Sequence, residues 1–87
     1  MTERIKELAK LNGLNEVMNL VIEECSELIK EMTKAHRGMG DVSNIEEEIA
    51  DVVLVVNQLM HLLDITDADI EKTVEEKVER TMQTYYE

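Results

Sequence analysis

Glu24 and Glu27 stand three residues apart in the acidic run EECSE (Glu23 to Glu27), and Glu48 and Asp51 repeat that spacing in EEEIAD (Glu46 to Asp51). On a helix, residues three or four apart share a face, so each pair becomes a two-pronged oxygen ligand. The same helical wheel sets Val17, Leu20, Val21 and Leu28 beside Glu24, and Ile45, Val52, Val55 and Leu59 beside Glu48. The four carboxylates therefore border a packing face. Carboxylates drawn out of water without partners oppose folding, and they repel one another as well. A divalent cation reverses that sign, and hard oxygen donors suit Mg²⁺, with Mn²⁺ as a substitute.

Four helical segments must position these groups. Thr2 is placed to cap a short first helix that carries Ile5, Leu8 and Ala9 on one side and ends at Asn12 and Gly13. A second helix is expected from about Asn15 to Arg37, with Val17, Val21, Cys25, Leu28, Ile29 and Met32 at helical spacing. Lys34, His36 and Arg37 suit the negative end of its dipole. Gly38 to Val42 reads as a loop, after which Ser43 and Glu46 have the spacing of a capping box. The third helix, about Asn44 to Leu63, is the most apolar, with Ile49, Val52, Val53, Val56, Leu59, Met60 and Leu63 on a broad inward side. Its VVLVV run alone suits a strand, but the length and 3.6-residue period of its surroundings select helix. Thr66 and Asp69 form a second capping box, opening a fourth helix from Asp67 to about Tyr85 with Ile70, Val74, Val78 and Met82 inward. The expected fold is all-α: one four-helix, bundle-like domain over residues 1–87.

The histidines separate the two main uses of inward carboxylates in helical bundles. Ferritin-like di-iron sites place a His three residues after a Glu. Residue 33 is Thr and residue 58 is Gln, so neither His36 nor His61 has that step, and an all-oxygen site remains. EECSEL (Glu23 to Leu28), then a Gly-containing loop, then EEIADVVLVV (Glu47 to Val56) resembles the EExxE and ExxD pattern of the MazG-like, all-α nucleoside triphosphate pyrophosphohydrolases. The likeness runs from the second helix through the fourth.

That resemblance implies Mg²⁺ ligands at Glu24, Glu27, Glu48 and Asp51. It also implies hydrolysis of a nucleoside or deoxynucleoside triphosphate to the monophosphate and pyrophosphate, clearing unwanted nucleotides. Glu23 would orient water, and Glu23 or Glu27 would take its proton. Lys77 falls where relatives carry a phosphate-gripping Lys, or is a surface cation next to Glu76, but Thr81, Met82 and Thr84 stand where Asn or Arg is expected, so Arg80 or an Arg from a partner subunit would substitute. Asn19, one turn before Glu23, could reach a base edge or be a surface amide. Relatives form dimers or tetramers with the site near the subunit interface.

Composition narrows the remaining classes. A net charge of −11 over 87 residues, with only 9 Lys and Arg, argues against binding nucleic-acid polymers through their backbones. No apolar run reaches membrane-span or signal-peptide length, so a cytoplasmic, membrane-free protein is expected. Cys25 reads as a core thiol, and Met18 and Met60 as core side chains. The chain has no Phe, Trp or Pro, and its third helix is apolar over more than half its circumference, counting Leu54, Val55 and Leu62. A homodimer or homotetramer is expected to cover that surface. If the four carboxylates were merely solvated, the alternative would be a non-catalytic acidic helical oligomerisation or adaptor module.

Overall fold

The computed structural model describes residues 2–86 and contains four helices, with no strand among the described residues. These are α1 (Glu3–Asn12), α2 (Leu14–His36), α3 (Val42–Leu62) and α4 (Asp67–Tyr85). The chain is all-α, as its periodicity predicts. Helix α3 lies along α2 and against α1, while α1 also touches α2. These three helices form the packed body. Among the described residues helix α4 packs along none of them, because the chain axis turns by 113° between α3 and α4. Bundle packing expected of all four helices is therefore seen for three.

Each helix end has a local chemical cause. The Thr2 side chain accepts from Ile5 N–H at 3.2 Å and starts α1. Gly13, at φ 81°, is the single joint between α1 and α2, a conformation that favours glycine. Helix α2 closes with Gly38 at φ 75°, where Gly38 N–H reaches Ala35 O and Met39 N–H reaches Lys34 O, the paired bonds of a Schellman motif. Gly40 then lies so close to Ala35 that a Cβ there would fall 2.5 Å from the Ala35 Cα.

The start of α3 differs from the Ser43 and Glu46 capping box. Asp41 is the cap, accepting from Ser43 N–H at 2.8 Å and from the Ser43 hydroxyl at 2.9 Å, so α3 begins at Val42. An aspartate two residues upstream outcompetes the serine because a charged acceptor makes the stronger bond. Those bonds hold the Asp41 carboxyl below its usual pKa. The Thr66 and Asp69 box at the head of α4 is formed as expected, with both reciprocal bonds present.

Helix α3 ends in a second Schellman motif, with Ile65 N–H donating to Met60 O at 2.9 Å and Asp64 N–H to His61 O at 3.3 Å. Asp64 occupies the left-handed position at φ 56°, where glycine has no steric penalty. Asp64→Gly is expected to raise stability by about 0.5 kcal/mol, because relief of the left-handed strain outweighs the added freedom of the unfolded chain. Denaturant melts of the two proteins measure that difference.

The core is narrow. Ala9, Val17, Val55 and Met60 are its buried apolar residues, joined by the buried amide of Gln58. Gln58 Oε1 accepts from Asn12 Nδ2 at 2.8 Å, tying the end of α1 to α3. Of the side of α3 expected inward, Met60 is buried and Val52, Val56 and Leu59 are partly buried, with Val55 and Gln58 buried beside them, whereas Ile49, Val53 and Leu63 are about half exposed. A run apolar on most of its circumference does not specify which stripe meets α1 and α2. Met18 is also about half exposed, and Cys25 is a partly buried free thiol rather than a core one. On α4, Ile70, Val74, Val78 and Met82 form a stripe open to solvent.

Candidate metal centre

Helix α2 supplies Glu24 and helix α3 supplies Glu48 and Asp51. One carboxylate oxygen of each lies within 4.8 Å of the others. The two acidic runs meet because α2 and α3 pack along each other, so their facing sides carry Glu24 opposite the Glu48 and Asp51 pair. All three side chains are half-buried. Glu48 Oε2 is fully withdrawn from solvent and has no hydrogen-bond partner among the described residues. Among the described residues no Lys or Arg forms an ion pair with the cluster; Lys34, the pairing cation on α2, is held by Glu31.

The electrostatics follow from this crowding. Burial raises the pKa of Glu24, and the neighbouring charges of Asp51, Glu23 and Glu27 raise it further. Burial likewise raises Glu48, followed by Glu24, Asp51, Glu27 and Glu31. Both shifts have the cause expected of like charges gathered in a partly desolvated place. A hard divalent cation would meet the unmet need of such a set, offering a partner to Glu48 Oε2 and cancelling the mutual repulsion. The donor set is all oxygen, so these residues fit Mg²⁺ or Mn²⁺.

The other candidate residues lie at graded distance from this cluster. Glu27 is exposed and stands outside the close triad, yet its charge reaches both Glu24 and Glu48. Glu23 is exposed and acts on Glu24. Asn19 is exposed on α2, one turn before Glu23. Lys77 and Arg80 are exposed on α4, which touches neither α2 nor α3, so the protomer does not pack them against the carboxylates. Lys77 instead lines a shallow groove of α4 with Val74, Val78, Thr81 and Met82.

Glu31 is an electrostatic neighbour that the motif reading passed over. Its charge reaches Glu48, and its side chain is largely covered while pairing with Lys34 at 3.5 Å. The spacing Glu24, Glu27, Glu31 continues one helical face and is the signal that marks it.

Neither a comparison with curated proteins nor one with solved structures gives a significant match. Residues 12–84, which include the whole of α2 and α3 and nearly all of α4, match the family model of the MazG nucleotide pyrophosphohydrolase domain. With its two acidic runs meeting between α2 and α3 inside that span, the chain belongs to the MazG nucleotide pyrophosphohydrolase family.

Proposed function

We propose that this protein is a Mg²⁺-dependent pyrophosphohydrolase that converts a nucleoside or deoxynucleoside triphosphate to the monophosphate and pyrophosphate, clearing unwanted nucleotides in the cytoplasm. The observation that carries this reading is the meeting of Glu24, Glu48 and Asp51, with one buried oxygen of Glu48 left without a partner. Membership of the family supports the reaction class.

In this reading Glu24, Glu48 and Asp51 hold the ion, with Glu27 completing or extending the set. Bound there, Mg²⁺ supplies charge neutralisation for the triphosphate, alignment for in-line attack at the α-phosphorus, and activation of the attacking water. The chain's own groups do the rest. Glu23 or Glu27 takes the proton released by that water, being exposed and beside the cluster. Glu24 and Glu48 have raised pKa values and serve better as ligands, since a cation restores their ionised form.

Lys77 and Arg80 grip phosphate and Asn19 meets the base edge. Because α4 stands off its own body, its cations reach the carboxylates from a second copy in a homodimer or homotetramer. The half-exposed apolar stripe of α4 and the open apolar side chains Ile22, Ile29 and Met32 of α2 give that assembly its contact surface.

Release of both monophosphate and pyrophosphate, screened over a panel of common and oxidised nucleoside triphosphates with Mg²⁺ and with Mn²⁺, tests the reading. Metal-dependent appearance of both products, abolished by a chelator, is the expected result. Release of inorganic phosphate instead of pyrophosphate would assign a different reaction to the site. Inactivity across the panel, with partner capture that ignores chelators, would make the protein a helical adaptor.

A further inference from the structure

Asn12 is followed by Gly13 at the joint between α1 and α2, and it is the chain's single Asn-Gly step. Asn15, Asn19, Asn44 and Asn57 are followed by Glu, Leu, Ile and Gln, whose side chains hinder the backbone nitrogen behind each asparagine. An Asn-Gly step is prone to intramolecular attack because glycine leaves that nitrogen open. The Gly13 nitrogen loses its proton and bonds to Asn12 Cγ. The bond from Cγ to the carboxamide nitrogen breaks, and ammonia leaves with the proton. Water then opens the five-membered imide at either carbonyl, giving aspartate or isoaspartate. Water is the one co-reactant and no redox change occurs.

The fold opposes the first step in two ways. Gly13 N–H donates to Ala9 O at 2.9 Å, which holds the attacking nitrogen in the helix-end pattern. The Asn12 carboxamide is anchored by its 2.8 Å bond to Gln58 Oε1, on a side chain only 1% exposed. The second restraint ends when α1 lifts from α3, and the first when the last turn of α1 then frays.

The product reverses the logic of that contact. Gln58 is oriented by two bonds, Oε1 accepting from Asn12 and Nε2 donating to Leu54 O at 3.4 Å. A carboxylate in place of the Asn12 amide offers no donor to Oε1. Turning the Gln58 amide round would satisfy the carboxylate but set Oε1 against Leu54 O. The new negative charge would also sit at the last residue of α1, the wrong end of its dipole.

We propose that Asn12 is a latent hydrolytic modification site, restrained while α1 is docked on Gln58 and, once converted, acting to undock α1. It is independent of the acidic cluster and of any nucleotide chemistry.

The test incubates the full chain at mildly alkaline pH, native and in urea, and follows ammonia loss at each asparagine by peptide mapping. Conversion at Asn12 should exceed that at the other four in urea and be at least about tenfold slower in the native protein, since local opening must precede it. Gln58→Leu, which removes the acceptor at similar volume, should speed native conversion by about fivefold, the population shift expected from losing one buried hydrogen bond. Equal rates in native and urea conditions, or no selective conversion at Asn12 in urea, would overturn the restraint. Should Gln58→Leu fail to fold, Asn12→Asp gives the second reading: it should melt below the wild type, and an unchanged melting temperature would overturn the undocking.

Discussion

Glu24→Gln and Asp51→Asn should each lower pyrophosphate release by more than about a hundredfold while leaving the helical circular dichroism unchanged, because each removes one charged prong of the metal cluster without altering its volume. The two substitutions act from opposite helices on one group of oxygens that lie within 4.8 Å of one another. A structural role for either side chain would instead show as lost helicity or lowered stability. Glu46→Gln is the control: Glu46 is exposed near the start of α3 and belongs to no cluster, so its turnover should match wild type. Glu27→Gln separates two uses of a neighbour that stands outside the triad. If Glu27 is a ligand, the metal concentration needed for half-maximal rate rises. If it takes the proton, the rate falls even at saturating metal. Wild-type turnover in both Glu24→Gln and Asp51→Asn would remove the cluster from the chemistry.

The acidic runs were legible in the sequence because helical spacing is short-range information. Two carboxylates three residues apart on a helix share a face whatever the rest of the chain does. That Glu24 meets Glu48 and Asp51 needed only that α2 and α3 pack along their apolar sides, which the neighbouring Val17, Val21, Val52 and Val55 already favoured. The Thr2 cap and the Thr66 and Asp69 box were readable for the same reason. Asp41 was not, since two acceptors competed for the start of α3 and the contest was decided by bond strength and loop path.

Long-range placement was less accessible. Ile70, Val74, Val78 and Met82 mark an apolar stripe on α4, but a stripe states that something covers it and not which chain supplies the cover. The 113° turn depends on Asp64 accepting a left-handed backbone, which its residue type permits and does not demand. Gln58 follows the longest apolar run, VVLVV, and stands next to a second amide, Asn57. Nothing in its neighbours marks it as the acceptor for Asn12, 46 residues away.

The second large effect is on stability, and it has opposite signs with and without metal. Glu24 and Glu48 have folded-state pKa values raised above their ordinary ones, by burial first and by neighbouring carboxylates next. A group whose folded pKa is raised binds its proton more tightly in the folded state. Its contribution is full below the unfolded pKa and is lost as pH rises through the folded value. The metal-free protein should therefore lose stability as pH climbs from the ordinary carboxylate range towards neutrality. Glu48→Gln should flatten that slope, since it removes a charge and supplies a donor where Glu48 Oε2 has no partner. Mg²⁺ should invert the dependence, because the ion binds the deprotonated cluster and competes with protons. At about a hundred times its dissociation constant, mass action adds about 2.7 kcal/mol, or about 10–20 °C in melting temperature for a domain of this size. The same addition should do nothing for Glu48→Gln beyond a small residual shift. Thermal melts at several pH values, with chelator and with Mg²⁺, measure all of these together. A wild-type melting temperature that ignores Mg²⁺ at neutral pH would show that Glu24, Glu48 and Asp51 repel one another without holding an ion.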